Sequence, residues 1–389
     1  MQAFEPVRSW IEVSEERLVG NYRVLAKAAG ADTTVMAVVK ANAYGHGADR
    51  CSVALARAGA NWLGVATVSE GIEVRGALGA AGLTGEGAPE ILVMCGLLEK
   101  EAPAFAEHGL TPVVWTRQQV EWLRGFAGMR VHVDVDTGMT RQGVLPGAAL
   151  EELLDSIARA GLVMDGVCTH FCSADVAGSE RTQAQQRRFE QAVEQVRARG
   201  LRPTWVHAGS SSSLDNPAQE RPWLAELAAS VGARAMVRCG IALYGYCLPI
   251  KGGSGSGRVR PELRPVMTWK TRALDVREVA AGEAIGYNAT FTATQAMRVA
   301  LLPVGYSDGL RRELSSTNAR TGGWVMVRGK RAAMVGRVSM NLAMVDVTEI
   351  AGVRTGDEVV LLGEGVTADD HAGVAGTISY EILCGVRGG

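Results

Sequence analysis

The 389-residue sequence predicts an α/β protein with an N-terminal (β/α)8 TIM-type barrel and a C-terminal mainly-β domain. In about the first 245 residues, eight short apolar runs alternate with longer segments rich in Ala, Glu and Arg, which is the rhythm of such a barrel. After residue 257, β-branched runs separated by glycine turns dominate, as in residues 324–336. That composition favours strands over helices.

The individual elements follow from these patterns. The eight predicted barrel strands span residues 34–39, 62–65, 91–94, 111–114, 131–135, 166–169, 204–207 and 235–237. Helical periodicity occurs between them, at residues 51–58, 118–126 and 181–199. In the C-terminal part we expect a short helix near residues 369–375, and residues 10–13 could form a strand of either domain.

A change in composition marks the domain boundary. Residues 249–257 read PIKGGSGSG, which is typical of a flexible linker or an exposed loop. We therefore expect a barrel over residues 1–248 and a mainly-β domain over 258–389. Residues 1–13 could pack with the C-terminal domain.

Charge and composition argue against several classes of protein. Lys and Arg number 40 and Asp and Glu 41, so no excess of positive charge favours nucleic acid or an anionic membrane as partner. Seven cysteines without a C-x-x-C pair predict reduced thiols in a cytoplasmic protein. The N-terminus does not resemble a signal peptide, and no apolar run reaches about 18 residues, so we expect no membrane span. No H-E-x-x-H motif is present, and no metal site is expected.

Polar and ionisable residues follow the predicted strand ends, where barrel enzymes place their active groups. Lys40 ends an apolar run, and desolvation there lowers the pKa of a lysine and makes its amine nucleophilic. A lysine that merely reaches the rim is the alternative interpretation. Ser211 and Gly240 follow the last two strands, in the loops that usually bind phosphate. A nucleophilic lysine beside a phosphate site indicates pyridoxal phosphate (PLP) as cofactor.

A set of motifs resembles one family over nearly the whole chain. Residues 38–47, VVKANAYGHG, look like the cofactor-lysine signature of the alanine racemases. The same order and spacing continue at 136–141 (DTGMTR), 169–171 (THF), 237–245 (VRCGIALYG), 286–291 (GYNATF), 303–309 (PVGYSDG), 335–340 (VGRVSM) and 377–380 (TISY). The resemblance implies a PLP-dependent isomerase that interconverts L-alanine and D-alanine. It also implies a homodimer with composite active sites and a supply of D-alanine for cell-wall peptidoglycan.

The resemblance assigns catalytic roles residue by residue. Lys40 would hold PLP covalently and exchange the substrate α-proton on the D face, and Tyr287 of the partner subunit would do so on the L face. His170 would orient that tyrosine and favour its phenolate. Arg238, braced by His207, would face the pyridine nitrogen. A guanidinium does not give up its proton, so the ring nitrogen would stay neutral.

The resemblance also assigns binding roles. The phosphate contacts map onto Tyr44, Ser211, Gly240, Ile241 and Tyr380. Arg141 would lie near the phenolic oxygen of PLP and the substrate carboxylate, to which Met340 of the partner subunit would offer its backbone N–H. Tyr306 and Tyr380 would narrow the entrance to fit a side chain as small as methyl.

Three positions depart from the family pattern. Many members carry a carbamylated lysine where this chain has Asp134, whose carboxylate we expect to supply negative charge near Arg141 directly, without a carbamate. Ser210 replaces the usual asparagine, so the contacts of that amide are lost. Asn341 replaces the usual aspartate and removes a charge beside the substrate.

Three other functions remain open from the sequence. A racemase of the same fold could act on serine or on a broader set of amino acids. A PLP-dependent amino-acid decarboxylase of similar architecture is a second possibility, although the motifs around Tyr287 and His170 argue against it. A non-catalytic PLP-binding barrel is a third, and it would lack the second domain.

Overall fold

The computed structural model describes residues 8–219, 222–253 and 256–388. Its strands are β1 (Ser9–Val13), β2 (Thr33–Val38), β3 (Trp62–Val65), β4 (Glu90–Val93), β5 (Leu110–Val114), β6 (Arg130–Asp134), β7 (Val163–Cys168), β8 (Trp205–Ser210), β9 (Arg234–Cys239), β10 (Met267–Arg272), β11 (Asp275–Val279), β12 (Ala284–Ile285), β13 (Phe291–Thr292), β14 (Met297–Leu302), β15 (Trp324–Val327), β16 (Lys330–Ala333), β17 (Ala343–Asp346) and β18 (Glu358–Leu362).

The helices alternate with the strands in the first two thirds of the chain. They are α1 (Glu15–Ala29), α2 (Lys40–Gly45), α3 (Ala48–Arg57), α4 (Val68–Ala80), α5 (Ala102–Glu107), α6 (Arg117–Trp122), α7 (Ala148–Arg159), α8 (Glu180–Ala198), α9 (Ser211–Asp215), α10 (Pro222–Ser230), α11 (Ala368–Ala375) and α12 (Ser379–Gly385). No helix within the described ranges is long and apolar enough to cross a membrane.

The described chain forms two compact units. The barrel unit holds Glu15–Ala43 and Gly47–Arg264, and the β unit holds the remaining described residues, including Tyr44–His46. In the barrel unit, strands β2 to β9 form a closed parallel barrel in which β9 pairs with β2. All eight predicted barrel strands are therefore confirmed, with ends shifted by a few residues.

The barrel closes around large apolar side chains. Seven of its strands contribute to one buried cluster, made of Met36, Trp62, Leu92, Val113, Cys168, Trp205 and Met236. Because all eight strands run in the same direction, their C-terminal ends meet at one end of the barrel. Lys40, Arg141, His170, Ser211 and Gly240 follow the ends of five strands, so the fold brings the loops that carry them to that end.

Described residues on both sides of positions 254 and 255 are hydrogen-bonded to the barrel unit. Lys251 donates its backbone N–H to the Asp175 carbonyl (2.8 Å), and its ammonium lies 3.2 Å from the Asp175 carboxylate. Residues 254 and 255 of the predicted 249–257 linker lie outside the described residues. The fully buried carboxylate of Asp215 accepts the backbone N–H groups of Val259 (3.0 Å) and Arg260 (2.9 Å). As a result, residues up to Arg264 pack with the barrel.

The β unit is built mainly from antiparallel strands. One sheet has the order β1-β10-β18-β15-β16, a second has β11-β14-β17, and β12 pairs with β13. The N-terminal strand β1 pairs along its length with β10 of the same unit. The expected helix near residues 369–375 is α11, which Thr367 caps through its side chain. The second helix, α12, was not predicted.

Candidate active site

Lys40 begins an unusual turn at the end of β2. The next four residues, Ala41 to Tyr44, all have φ angles of 52–54°, so α2 is a left-handed helical turn. For residues with a side chain this conformation costs roughly 1–2 kcal/mol each. Lys40 itself is half-buried. The turn therefore needs stabilising contacts from elsewhere.

Two side chains in the barrel unit supply those contacts. The Glu70 carboxylate accepts the backbone N–H of Ala41 (2.7 Å) and that of Ala66 (2.7 Å), which ties the turn to the loop after β3. The Asn42 side chain accepts the backbone N–H of Ala48 (2.8 Å). The backbone that follows Lys40 is thus fixed by hydrogen bonds to Glu70 and Asn42 rather than by a regular right-handed helix.

Arg238, on β9, is the centre of a hydrogen-bonded cluster. One guanidinium nitrogen lies 3.0 Å from His207 Nδ1, and the other lies 3.1 Å from His170 Nδ1. The second nitrogen also donates to the Thr169 carbonyl (2.6 Å). Because a guanidinium only donates, both imidazole Nδ1 atoms must accept, and the single proton of each neutral ring lies on Nε2.

Both histidines are held in the neutral form. Burial lowers the pKa of His170 to about 3, helped by the positive charges of Arg238, Arg141 and Lys40. Burial, with His132 and Arg238, lowers the pKa of His207 well below its ordinary value. His170 therefore offers an Nε2–H donor at any physiological pH.

Asp134 is a buried carboxylate whose pKa is affected by the charge of Arg141. Its carboxylate accepts hydrogen bonds from the Gln142 amide (2.8 Å) and, over a longer distance, from the Cys168 thiol (3.7 Å). Burial raises the pKa of Asp134, which hydrogen bonds and the charges of Arg238 and Arg141 oppose. The charge of Arg141 acts on Asp134, which agrees with the expected negative charge near Arg141, while the hydrogen bonds to the carboxylate come from Gln142 and Cys168.

The loops after β8 and β9 meet at one hydroxyl group. The buried Ser211 Oγ accepts the backbone N–H groups of Gly240 (3.1 Å) and Ala242 (3.2 Å). Ile241 lies between them and begins a buried 3-10 helix. These predicted phosphate-binding residues are therefore brought together. Ser210, the departure from the family pattern, donates its N–H to Ser213 instead (3.1 Å).

Tyr44 and Tyr380 belong to the β unit, and their rings pack with centroids 6.0 Å apart. The other β-unit candidates are exposed: Tyr287 by 66%, Met340 by 56% and Tyr306 by 44%. The Tyr306 backbone N–H donates to the Ser339 carbonyl (3.0 Å), which places Tyr306 beside the 339–341 loop.

The side chain of Asn341, in the same loop, is directed toward Ser307. The Ser307 hydroxyl donates to the Met340 carbonyl (2.8 Å), and the Asn341 amide donates to the Ser307 hydroxyl (2.8 Å). Tyr287 lies on a separate turn that includes Gly286, Asn288 and Ala289, all at positive φ. The structure thus groups Tyr306 with Met340 by backbone hydrogen bonds.

Sequence reasoning missed several residues that position the site. Glu70 closes a Thr67-x-x-Glu70 capping box at the start of α4, a pattern visible in the sequence. Gln185 donates to the His170 carbonyl (2.9 Å) and to the Thr137 hydroxyl (3.2 Å), so it links two loops of the site. Only the capping box could have been found from local spacing.

Comparisons with known proteins agree with these motifs. The family model for the alanine racemase N-terminal domain matches residues 13–248, and that for the C-terminal domain matches 266–388. An alanine racemase from Symbiobacterium thermophilum is 39% identical, with 97% of this chain and 94% of that protein covered.

Solved structures give the same result. The alanine racemase from Streptomyces coelicolor A3(2) superposes with a TM-score of 0.84 at 32% identity, covering 97% of this chain and 95% of that one. The alanine racemase from Bartonella henselae, solved with covalently bound pyridoxal phosphate, has a TM-score of 0.80 at 25% identity, covering 98% of both chains. Both family models together span nearly the whole sequence. The chain therefore belongs to the alanine racemase family.

Proposed function

We propose that this enzyme uses PLP to interconvert L-alanine and D-alanine, with one base on each face of the substrate. The observation that carries the proposal is the cluster at the C-terminal end of the barrel. There the chain provides a lysine held by a strained turn, an arginine between two neutral histidines, and a serine hydroxyl that two backbone N–H groups hold in place.

The barrel residues fit the proposed cofactor. Gly240 and Ala242 donate their backbone N–H groups to Ser211 Oγ, which orients this hydroxyl so that its own O–H would donate to a phosphate oxygen. Lys40 Nζ would bind the aldehyde carbon, and Arg238 would face the pyridine nitrogen. Tyr44 and Tyr380 are the proposed further phosphate contacts. When bound, PLP withdraws electrons from the substrate α-carbon and makes its proton easier to remove.

Lys40 and Tyr287 would carry the α-proton. The Lys40 amine would take or return it on the D face, and the phenolate of Tyr287 of the partner subunit would do so on the L face. A free tyrosine has a pKa near about 10, so its phenolate needs support. His170 can give that support, because its Nδ1 accepts from Arg238 and its Nε2–H is left to donate.

Arg238 would limit the reaction to racemisation. Its guanidinium keeps its proton, so it would leave a ring nitrogen that faces it in the neutral form. A neutral ring nitrogen would make PLP a weaker electron sink, which disfavours side reactions such as transamination. His207 and the Thr169 carbonyl hold the guanidinium in place for this task.

The substrate contacts are proposed from the family pattern and from exposure. Arg141 would bind the substrate carboxylate, and the Met340 backbone N–H of the partner subunit would reach it from the other side. Tyr306 and Tyr380 would restrict the side chain to a methyl group. The exposed Tyr287 and Met340 are large apolar groups on the β unit, which favours a homodimer that covers them.

Location and role complete the proposal. Cys95 and Cys172 are exposed thiols, which persist in a reducing compartment, so a cytoplasmic location is proposed. The product D-alanine would supply peptidoglycan synthesis, as the family implies.

Two assays on the purified enzyme test this function. Borohydride reduction should fix the cofactor to Lys40, and a label on any other residue would refute the cofactor assignment. Loss of optical activity should be fastest with L- and D-alanine when L-serine and L-lysine are measured in parallel. An equal or higher rate on serine or lysine would instead support the broader racemase, and release of carbon dioxide would support a decarboxylase.

A further inference from the structure

A chain of buried side chains continues from Arg238 into the barrel interior. Beyond His207, whose Nδ1 faces the guanidinium at 3.0 Å, His207 Nε2 lies 2.9 Å from His132 Nδ1. His132 Nε2 in turn faces the Asp165 carboxylate at 3.6 Å. Both histidines are fully buried, and Asp165 is nearly so.

The two ends of this series of side chains fix which ring nitrogens carry the protons. Arg238 only donates, so His207 Nδ1 accepts and the proton of His207 lies on Nε2. That proton can be donated only if His132 Nδ1 is bare, which places the proton of His132 on Nε2, toward Asp165. A carboxylate only accepts, so the arrangement is consistent from end to end.

Asp165 faces other groups besides His132: Arg130 Nη1 lies 4.0 Å from the same Oδ2, and a hydrogen bond from Thr204 helps to lower the pKa of Asp165. His132 Nε2 and Asp165 Oδ2 are both buried, and neither has a hydrogen-bond partner among the described residues. A buried polar atom without a partner costs free energy, so each atom favours the other. Burial lowers the pKa of His132 and keeps the ring neutral, and the charge of Asp165 opposes part of this shift.

The backbone makes room for this chain. A Cβ atom on Gly166 would lie 2.5 Å from His132 Nδ1, so any larger residue there would displace the imidazole. Gly166 has no left-handed φ, so its lack of a side chain is needed for space and not for backbone conformation. On β7, Asp165 thus provides the carboxylate that faces His132, and Gly166 leaves the space that the His132 ring occupies.

We propose that His132 and Asp165 are positioning residues for the racemase site. They hold His207 as the Nε2–H tautomer, so that its bare Nδ1 fixes the Arg238 guanidinium. The consequence for catalysis rests on the proposed function, because the position of Arg238 affects the reaction only if Arg238 faces the pyridine nitrogen of PLP. The tautomers themselves do not depend on it.

The first test reads the tautomers directly. The full-length protein is labelled with 15N-histidine, and two-dimensional NMR distinguishes bare from protonated ring nitrogens for each of the six histidines. We expect His132 and His207 to be neutral, with Nδ1 bare and Nε2 protonated, between about pH 6 and 8. An Nδ1–H tautomer or an imidazolium at either residue would overturn the proposal, whatever the enzyme racemises.

The second test compares two substitutions at one site. His132→Gln keeps an amide oxygen that can accept from His207, whereas His132→Leu removes the acceptor and retains an apolar side chain. The leucine variant should show mixed His207 tautomers and a kcat lower by about 10- to 100-fold, the usual loss for an outer partner of a functional group. The glutamine variant should keep the His207 tautomer and lose less.

The contact between His132 and Asp165 is tested in the same way. Asp165→Leu should allow mixed tautomers at His132, while Asp165→Asn keeps an acceptor oxygen and should not. Equal kcat and unchanged His207 signals in His132→Leu and His132→Gln would show a merely structural role and refute the positioning role. If His132 and His207 show the expected tautomers but the enzyme does not racemise alanine, the proposed function is refuted and the tautomer assignment still holds.

Discussion

At the scale of single residues, the sequence motifs identified the chemical groups and some partners, such as His207 beside Arg238, but not others. Lys40, His170 and Arg238 could be predicted because each lies within a short recognisable motif. The contacts of Glu70 with Ala41 and of His132 with His207 could not. They join segments far apart in the chain, and only barrel closure brings them together.

Asp134 shows the same limit. The sequence indicated a negative charge near Arg141, but the carboxylate is buried and hydrogen-bonded by Gln142. An aspartate cannot form a carbamate, so we expect racemase activity to be the same in buffer purged of carbon dioxide and in buffer with added bicarbonate. Stimulation by bicarbonate would contradict this, and would direct the search to a carbamylated lysine elsewhere.

At the scale of elements, strand positions were predictable and the turn after β2 was not. Mostly apolar runs of three to six residues predict the barrel strands, which span four to six residues in the structure. Residues 41–44 carry no glycine, and nothing in their composition favours left-handed φ values. Hydrogen bonds from the Ala41 N–H to Glu70 and from the Ala48 N–H to Asn42 override that local preference.

The strain in this turn can be measured by substitution. Ala41→Gly should leave the free energy of unfolding unchanged or raise it by up to about 1 kcal/mol, because glycine adopts positive φ without a Cβ penalty. Ala184→Gly, within the right-handed helix α8, should lower it by about 1 kcal/mol. Urea unfolding of both variants provides the comparison, and an equal loss of stability in the two would argue against a left-handed turn.

At the scale of the whole molecule, composition and motif order predicted a barrel followed by a mainly-β region. The boundary between the two units was harder to predict, because residues 258–264 follow the glycine-rich segment yet pack with the barrel. Their anchor is the buried Asp215, which has no signature in the sequence. Buried histidines are another property of the whole molecule that only the structure reveals.

Acid should destabilise this protein before its carboxylates are protonated. Burial lowers the folded-state pKa of His132, His170, His207 and His371, so the unfolded chain binds more protons below about pH 6.5. The stability from these neutral rings is complete above that pH and is lost as pH falls. Each ring contributes at most about 1.4 kcal/mol per pH unit.

His371 isolates this effect away from the proposed site. It is buried in the β unit, and its Nε2 lies 3.0 Å from the Trp324 carbonyl. His371→Gln can keep that hydrogen bond but cannot be protonated. Urea unfolding at several values between about pH 7 and 5 should therefore show a shallower loss of stability in the variant. An unchanged slope would mean that His371 titrates normally in the folded state.

The proposed function requires one active site to combine Lys40 of one subunit with Tyr287 of the partner subunit. Lys40→Ala and Tyr287→Phe chains should each be nearly inactive alone. After subunit exchange, half of the dimers combine the two variants, and one of the two sites in each such dimer regains both bases. Racemisation should then recover to about a quarter of the wild-type rate. No recovery, when mass measurement proves that mixed dimers formed, would contradict a shared site.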